Sequence, residues 1–381
     1  MTILTNAKLV LPDEVVVGTV SLDGSLISAI DPGGSAAADT VDLQGDFLVP
    51  GLVELHTDNL EKHFTPRPRV TWNPVTAAVA HDAQIVAAGI TTVYDALALI
   101  GGRKGADRRD TLMPMVEGLK GAGDAGLLRA DHHLHLRCEV IDPTILELFE
   151  PFRADPTVRL VSLMDHTPGQ RQFRTVEYWT RWYKDQHGLT DDEVEAEIAQ
   201  RRIDQAKYGP RHANELSLIA RGMGLPIASH DDETEAHIAD AVRQGVTISE
   251  FPTTRTAARG AHANGIAILM GAPNLVRGKS HSGNISCAEL ATDRLVDILS
   301  SDYVPVSLLH GAWLLAESED YPYDLPAAIA TVTATPADLA GLDDRGRIEV
   351  GMQADLVRFR VVDGVPYVRE VWRKGRTVVA A

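Results

Sequence analysis

Positive charge is in short supply in this chain. It carries 36 Lys and Arg against 53 Asp and Glu, a formal net charge of −17. Phosphate contacts dominate nucleic-acid affinity and call for a basic face, so the acidic total argues against a nucleic-acid partner. It does not exclude a local basic pocket for a small anion. Cysteine is also scarce. Cys138 and Cys287 are the two in 381 residues, which excludes a disulfide framework and fits a reducing cytoplasm. No apolar run of the roughly 18 residues needed for a transmembrane helix is found, so no membrane span is expected. The opening MTILTNAKLVLPDE has no basic stretch followed by an apolar one, so no secretory signal is expected. The phosphate-cradling G-x-x-x-x-G-K-[ST] is missing, which excludes a P-loop enzyme. Internal repeats and low-complexity tracts are missing too.

What is present is an ordinary globular composition, 44% hydrophobic and 23% charged, in a length that suits one large domain with a small companion. Both ends alternate apolar and polar residues between Asp-Gly, Gly-Gly and Lys-Gly turns, as half-buried strands do. Residues 1–50 and 345–381 therefore predict a small β-sandwich made from the two chain ends, with a barrel domain over 51–344. The middle alternates short apolar runs with helical stretches. Eight runs read as strands: 52–58, 91–97, 132–140, 158–166, 225–231, 246–251, 266–272 and 295–302. Buried parallel strands look like continuous apolar runs, and eight βα units predict an α/β fold of the (β/α)8 TIM-like barrel type. The competing architecture is an open doubly wound sheet. Residues 167–224 are too long for an ordinary βα connection and predict a helical lid or an interface.

Active sites of such barrels form at the C-terminal strand ends. Here those ends carry His56 and Asp58; His135, Arg137 and Glu139; Asp165 and His166; His230, Asp231 and Asp232; and Asp302. A single His after a strand is usually a hydrogen-bonded core or surface residue. Five such ends in one fold point to a metal centre, because a spacing of two puts both side chains on one face. Imidazole and carboxylate together suit Zn, Mn, Fe or Co.

Two segments carry a family likeness. Pro50-Gly51-Leu52-Val53-Glu54-Leu55-His56 and Gly346-Arg347-Ile348-Glu349-Val350-Gly351-Met352-Gln353-Ala354-Asp355-Leu356-Val357 resemble the marks of the amidohydrolase superfamily over almost the whole chain. That superfamily uses a metal-dependent barrel flanked by a β-sandwich. Its usual second histidine in the first motif is Asp58 here, an oxygen ligand in place of nitrogen. The runs HTDNLEKHFTPRPRVTW, MDHTPGQRQF, SHDDET, EFPTT and GAPNLVRGKSHSGNIS look like the phosphonate-breakdown branch of the superfamily. That resemblance implies hydrolysis of a sugar 5-triphosphate to the 5-phosphate and diphosphate, with a phosphorylated sugar as anionic substrate. It leaves room for a homodimer and for a functional link to the carbon–phosphorus lyase machinery.

On this reading one or two divalent ions, Zn, Mn or Fe, are held by His56, Asp58, Glu139, His166 and His230, with Glu139 as the bridging group. Asp302 is the catalytic base. His135 is a ligand, an outer partner or simply packed. Basic residues gather near the strand ends despite the acidic total, and Arg and Lys suit phosphate oxygens. Lys62, His63, Arg67, Arg137, Arg277, Lys279, His281 and Asn284 are the candidate substrate contacts. For any one of them the plainer reading is a solvated loop residue. Two rival functions remain: a deaminase or cyclic amide hydrolase on the same scaffold, and a non-catalytic scaffold subunit.

Overall fold

The computed structural model describes residues 1–35, 40–68, 70–101, 109–278 and 283–380. The N-terminal segment forms strands β1 (Thr2–Val10), β2 (Val15–Asp23), β3 (Leu26–Pro32), β4 (Thr40–Asp42) and β5 (Phe47–Pro50). The barrel strands follow: β6 (Leu52–Thr57), β7 (Ile90–Leu99), β8 (Asp131–Glu139), β9 (Val158–Met164), β10 (Ile227–His230), β11 (Ile248–Glu250), β12 (Ala267–Gly271) and β13 (Ile298–Ser300). The chain ends in β14 (Leu356–Val362), β15 (Val365–Arg373) and β16 (Arg376–Ala380).

Each of the eight strand runs expected for the middle forms a strand, and the eight lie in chain order in one parallel sheet. The sheet curls until its ends meet. Thr57 bridges Asp302 in parallel, and the Asp58 amide donates to the Asp302 carbonyl at 3.2 Å. This is a nearly closed barrel, not an open sheet. Every residue of β7 is buried, as a strand covered on both faces requires. Val53, Leu55, Tyr94, Leu160, Ala228, Ile248, Leu269 and Ile298 form the core that plugs the barrel interior. A larger apolar layer, including Leu136, Val161, Leu216, Ile268 and Leu299, binds the barrel wall to its helices.

The two chain ends build one eight-stranded sheet, ordered β16-β15-β14-β5-β1-β2-β3, with β4 on β1. The join is antiparallel, Phe359 facing Phe47 and Leu356 facing Pro50. Asp46 anchors it by accepting from Arg358 at 2.7 Å and Arg360 at 2.5 Å. Because β5 runs into β6 through Gly51, the terminal sheet fixes the start of the first barrel strand.

The 167–224 excursion is helical. Helix Val176–His187 lies against the first half of the 32-residue helix Asp191–Gly222. Phe173, Trp179, Tyr183, Val194 and Ile198 give the pair its own small core. The second half of the long helix packs Ala213, Leu216 and Ala220 into the barrel layer. A capping box between Thr190 and Glu193 starts it. Among the described residues no helix is long and apolar enough to cross a membrane.

Candidate metal centre at the barrel mouth

Strand alternation delivers polar side chains to the open end of the barrel, and the turns just beyond the strands are tight. Asp231, Phe251 and Asp302 adopt left-handed backbone angles, with φ of 55°, 54° and 51°. Such geometry is costly away from glycine and gathers at functional rims.

His56, His166 and His230 meet here, each with one ring nitrogen already engaged. The His166 Nδ1 lies 2.5 Å from Glu139 Oε2, and the His166 amide donates to Glu139 Oε1 at 3.0 Å. His230 Nδ1 lies 3.1 Å from Glu250 Oε2, and His56 Nδ1 lies 3.0 Å from Glu250 Oε1. A neutral imidazole with Nδ1 donating has its lone pair on Nε2. Burial holds His56 well below the usual imidazole range and takes His230 down to about 3, so both rings are neutral.

The Nε2 atoms of His230 and His166 face a carboxylate oxygen. Asp231 Oδ2 is 3.2 Å from His230 Nε2 and 4.0 Å from His166 Nε2. It is buried without a hydrogen-bond partner, as is Asp58 Oδ1 nearby on the rim. Two ring nitrogens and a carboxylate oxygen thus converge in a buried place, a set that a divalent cation would draw together. This donor set fits a divalent metal of the nitrogen-and-oxygen class, and His166, His230 and Asp231 lie close enough to share one ion. Neighbouring Asp232 differs. It accepts from Arg171 Nη1 at 2.8 Å and Ser249 Oγ at 3.0 Å, so its charge is already compensated.

The acids also crowd one another. Burial pushes Asp302 up to about 7, helped by the Asp58 charge and opposed by Arg137 and Lys62. Burial likewise pushes Asp231 up to about 7, against His166 and Arg137. Arg137, rising from β8, is the cation that acts on both acids, and its Nε is buried with no hydrogen-bond partner.

The expected residues divide. His56, Asp58, Arg137, Glu139, His166, His230 and Asp302 come together. Glu139 directs both oxygens to His166, the position of an orienting partner. His135 is engaged at both nitrogens, with Nδ1 2.9 Å from the Leu55 carbonyl and Nε2 2.9 Å from Ser162 Oγ and 3.6 Å from Glu250 Oε1. Lys62 donates to the Tyr303 carbonyl and lies 5.1 Å over the Tyr303 ring. Arg277 Nη1 reaches the Tyr303 hydroxyl at 3.4 Å. His63 turns to Gln84 at 3.0 Å, toward the surrounding helix. Arg67 is exposed, and Asn284 donates to the Gln172 carbonyl at 3.5 Å. Lys279 and His281 lie outside the described residues.

Sequence reasoning gave no role to Glu250 or Tyr303 and named Asp231 only as a strand-end acid. Glu250 sits in VTISEF, where the pattern marked a strand but gave no sign that its last carboxylate faces inward beside two histidines. Tyr303 carries no sequence signal beyond adjacency to Asp302.

A second buried His–carboxylate cluster, in the barrel wall, behaves differently. His81 Nε2 meets Asp95 Oδ1 at 2.7 Å, His132 Nδ1 meets Asp95 Oδ2 at 2.8 Å, and the Asn59 amide reaches His81 Nδ1 at 3.0 Å. Its donors and acceptors satisfy one another. Burial alone would lower His132, but the Asp95 and Asp82 carboxylates push it up to about 9. A folded value above the unfolded ~6.5 gives stability that is full below ~6.5 and lost as pH rises through ~9, on the order of 3 kcal/mol. Urea unfolding of the metal-free protein between pH 6 and 10 should show that loss, and His132→Gln should flatten it. Parallel profiles for the two proteins would rule out this assignment.

Comparison with known proteins agrees with the geometry. A solved 5-methylcytosine deaminase from Klebsiella pneumoniae superposes with a TM-score of 0.66 at 14% identity, covering 100% of this chain and 98% of that one. An N-acetyl-D-glucosamine-6-phosphate deacetylase from Mycobacterium smegmatis gives 0.65 at 16%, covering all of both chains. At such identities the likeness is one of fold. In sequence, the α-D-ribose 1-methylphosphonate 5-triphosphate diphosphatase of Escherichia coli (strain K12) is 43% identical over 376 residues, 99% of this chain and 100% of that protein. The model of the amidohydrolase family matches residues 181–379. With that match and a full-length relative, a barrel whose mouth gathers metal-type donors has its place: this chain belongs to the amidohydrolase family and is a hydrolase.

Proposed function

We propose that the chain hydrolyses α-D-ribose 1-methylphosphonate 5-triphosphate to the 5-phosphate and diphosphate. The observation that carries this reading is the 43% identity over 99% of the chain to the Escherichia coli diphosphatase. The guanidinium of Arg137 among the rim acids supports it, since a neutral heterocycle would not need a cation there.

His56, Asp58, His166, His230 and Asp231 would hold one or two divalent ions, with Glu139 orienting His166. When bound, such an ion polarises phosphoryl oxygen and makes water acidic enough to attack at neutral pH. Asp302 accepts the proton of that water and aims it at the phosphorus nearest the ribose. The α–β phosphoanhydride bond breaks, and its electron pair leaves on diphosphate. Arg137 binds phosphoryl oxygens through its planar fork, and Lys62 and Arg277, gathered at Tyr303, meet the charge growing on the leaving group. The methylphosphonate C–P bond survives this step. The reading therefore sets the enzyme in the cytoplasm beside the carbon–phosphorus lyase machinery.

Product analysis tests it. The purified enzyme with Zn or Mn should release diphosphate from the ribose triphosphate and no ammonia from amino-heterocycles. Ammonia release without diphosphate would favour the deaminase reading instead.

A further inference from the structure

Glu250 serves two histidines from one carboxylate. It is fully buried at the end of β11, and its two oxygens lie 3.0 Å from His56 Nδ1 and 3.1 Å from His230 Nδ1. Those histidines come from β6 and β10, the first and fifth barrel strands. Their rings are nearly parallel, 13° apart with centroids 5.8 Å apart. The carboxylate thus ties two strands that share no backbone ladder and holds both rings by Nδ1. Phe251, the next residue, meets both rings edge-on at 5.0 and 5.5 Å and limits their tilt.

We propose that Glu250 is a positioning residue that sets the tautomer of His56 and His230 together, so that both Nε2 atoms point lone pairs at the metal. A metal-ligating imidazole is neutral and carries its proton on the nitrogen away from the ion. Ionised carboxylate is acceptor-only, so Glu250 can receive an N–H from both rings at once. A carboxamide cannot. Its oxygen accepts from one ring while its NH2 faces the other, which must then accept at Nδ1 and carry its proton on Nε2, facing the metal. The competing use of the same atoms is direct ligation, with Glu250, His56 and His135 around one ion. Two observations disfavour it. His135 already has partners on both nitrogens, at 2.9 Å each, and Glu250 lies nearer the other two rings, at 3.0 and 3.1 Å, than His135, at 3.6 Å.

The inference rests on the metal-hydrolase reading, and the test separates the two. Metal content and Zn affinity are measured by elemental analysis and chelator competition on the wild type and Glu250→Gln. The expected result is a full wild-type complement and an affinity about 10- to 100-fold weaker in the variant. Independently of whether the variant folds, 15N-histidine spectra of the zinc-loaded wild type should show Nδ1–H and metallated Nε2 for His56 and His230. Metallation at Nδ1 of either ring, or a folded variant within about 3-fold of wild-type affinity, overturns the positioning role and leaves the hydrolase reading standing. A wild type that binds no divalent metal overturns both. A metal-loaded wild type that cleaves some other bond, with the expected tautomers, overturns only the substrate.

Discussion

Asp302→Asn should lower kcat by about 10²- to 10⁴-fold, the range for losing a positioned general base, while KM and bound metal change little. The side chain stands at the end of the last barrel strand, among Asp58, Asp231 and Arg137, and is nearly buried, with its carboxyl pushed up to about 7 by burial before any metal is bound. Asparagine keeps the shape and the left-handed backbone that this position needs, since Asn and Asp tolerate φ near 51°. What it loses is the ability to take a proton. Steady-state kinetics with elemental analysis of the same sample decides the matter. A kcat within a few fold of wild type would remove Asp302 from the chemistry. Loss of metal in parallel would make it a ligand first.

His230→Ala should have the larger consequence. His230 supplies one of the lone pairs facing Asp231 Oδ2 at 3.2 Å, and its removal also leaves one Glu250 oxygen unpaired in a fully buried place. Loss of a direct ligand should cost more than the roughly 10- to 100-fold typical of an outer-shell partner. Without the ion the attacking water returns from a pKa of ~7 toward ~15.7, so turnover should fall below that of Asp302→Asn. His56→Ala should do the same. His135→Ala, with both ring nitrogens held by Leu55 and Ser162, should keep its metal and lose stability instead. Metal content across the three variants checks this order. A metal-loaded His230→Ala would place the centre elsewhere.

The barrel was legible because strands covered on both faces are rich in apolar residues, as Val158–Met164 and Ala267–Gly271 are, so the runs stood out against their helices. The terminal sheet was legible from alternation and turn chemistry at both ends. The rim acids and histidines followed from their place after those runs. Orientation was harder. His63 and Lys62 are adjacent in sequence, but a helix turns about 100° per residue, so one reaches Tyr303 and the other Gln84. Glu139 was read as the bridging group; in the structure both its oxygens turn to His166, and which neighbour a carboxylate turns to depends on contacts made across the barrel. Glu250 was hidden for the same reason. A glutamate before a phenylalanine at a strand end carries no mark of the two rings, 20 and 194 residues away, that it joins.

The barrel seam has a consequence for assembly. His56 belongs to the first barrel strand, Asp58 follows it and Asp302 follows the last, and they meet where Thr57 bridges Asp302. The terminal sheet is likewise complete only when Leu356–Val362 reaches Phe47–Pro50. A growing chain therefore carries His56 and Asp58 for some 240 residues before Asp302 exists. The rim shared by His56, Asp58 and Asp302 is thus completed late in synthesis, when the last strand closes against the first.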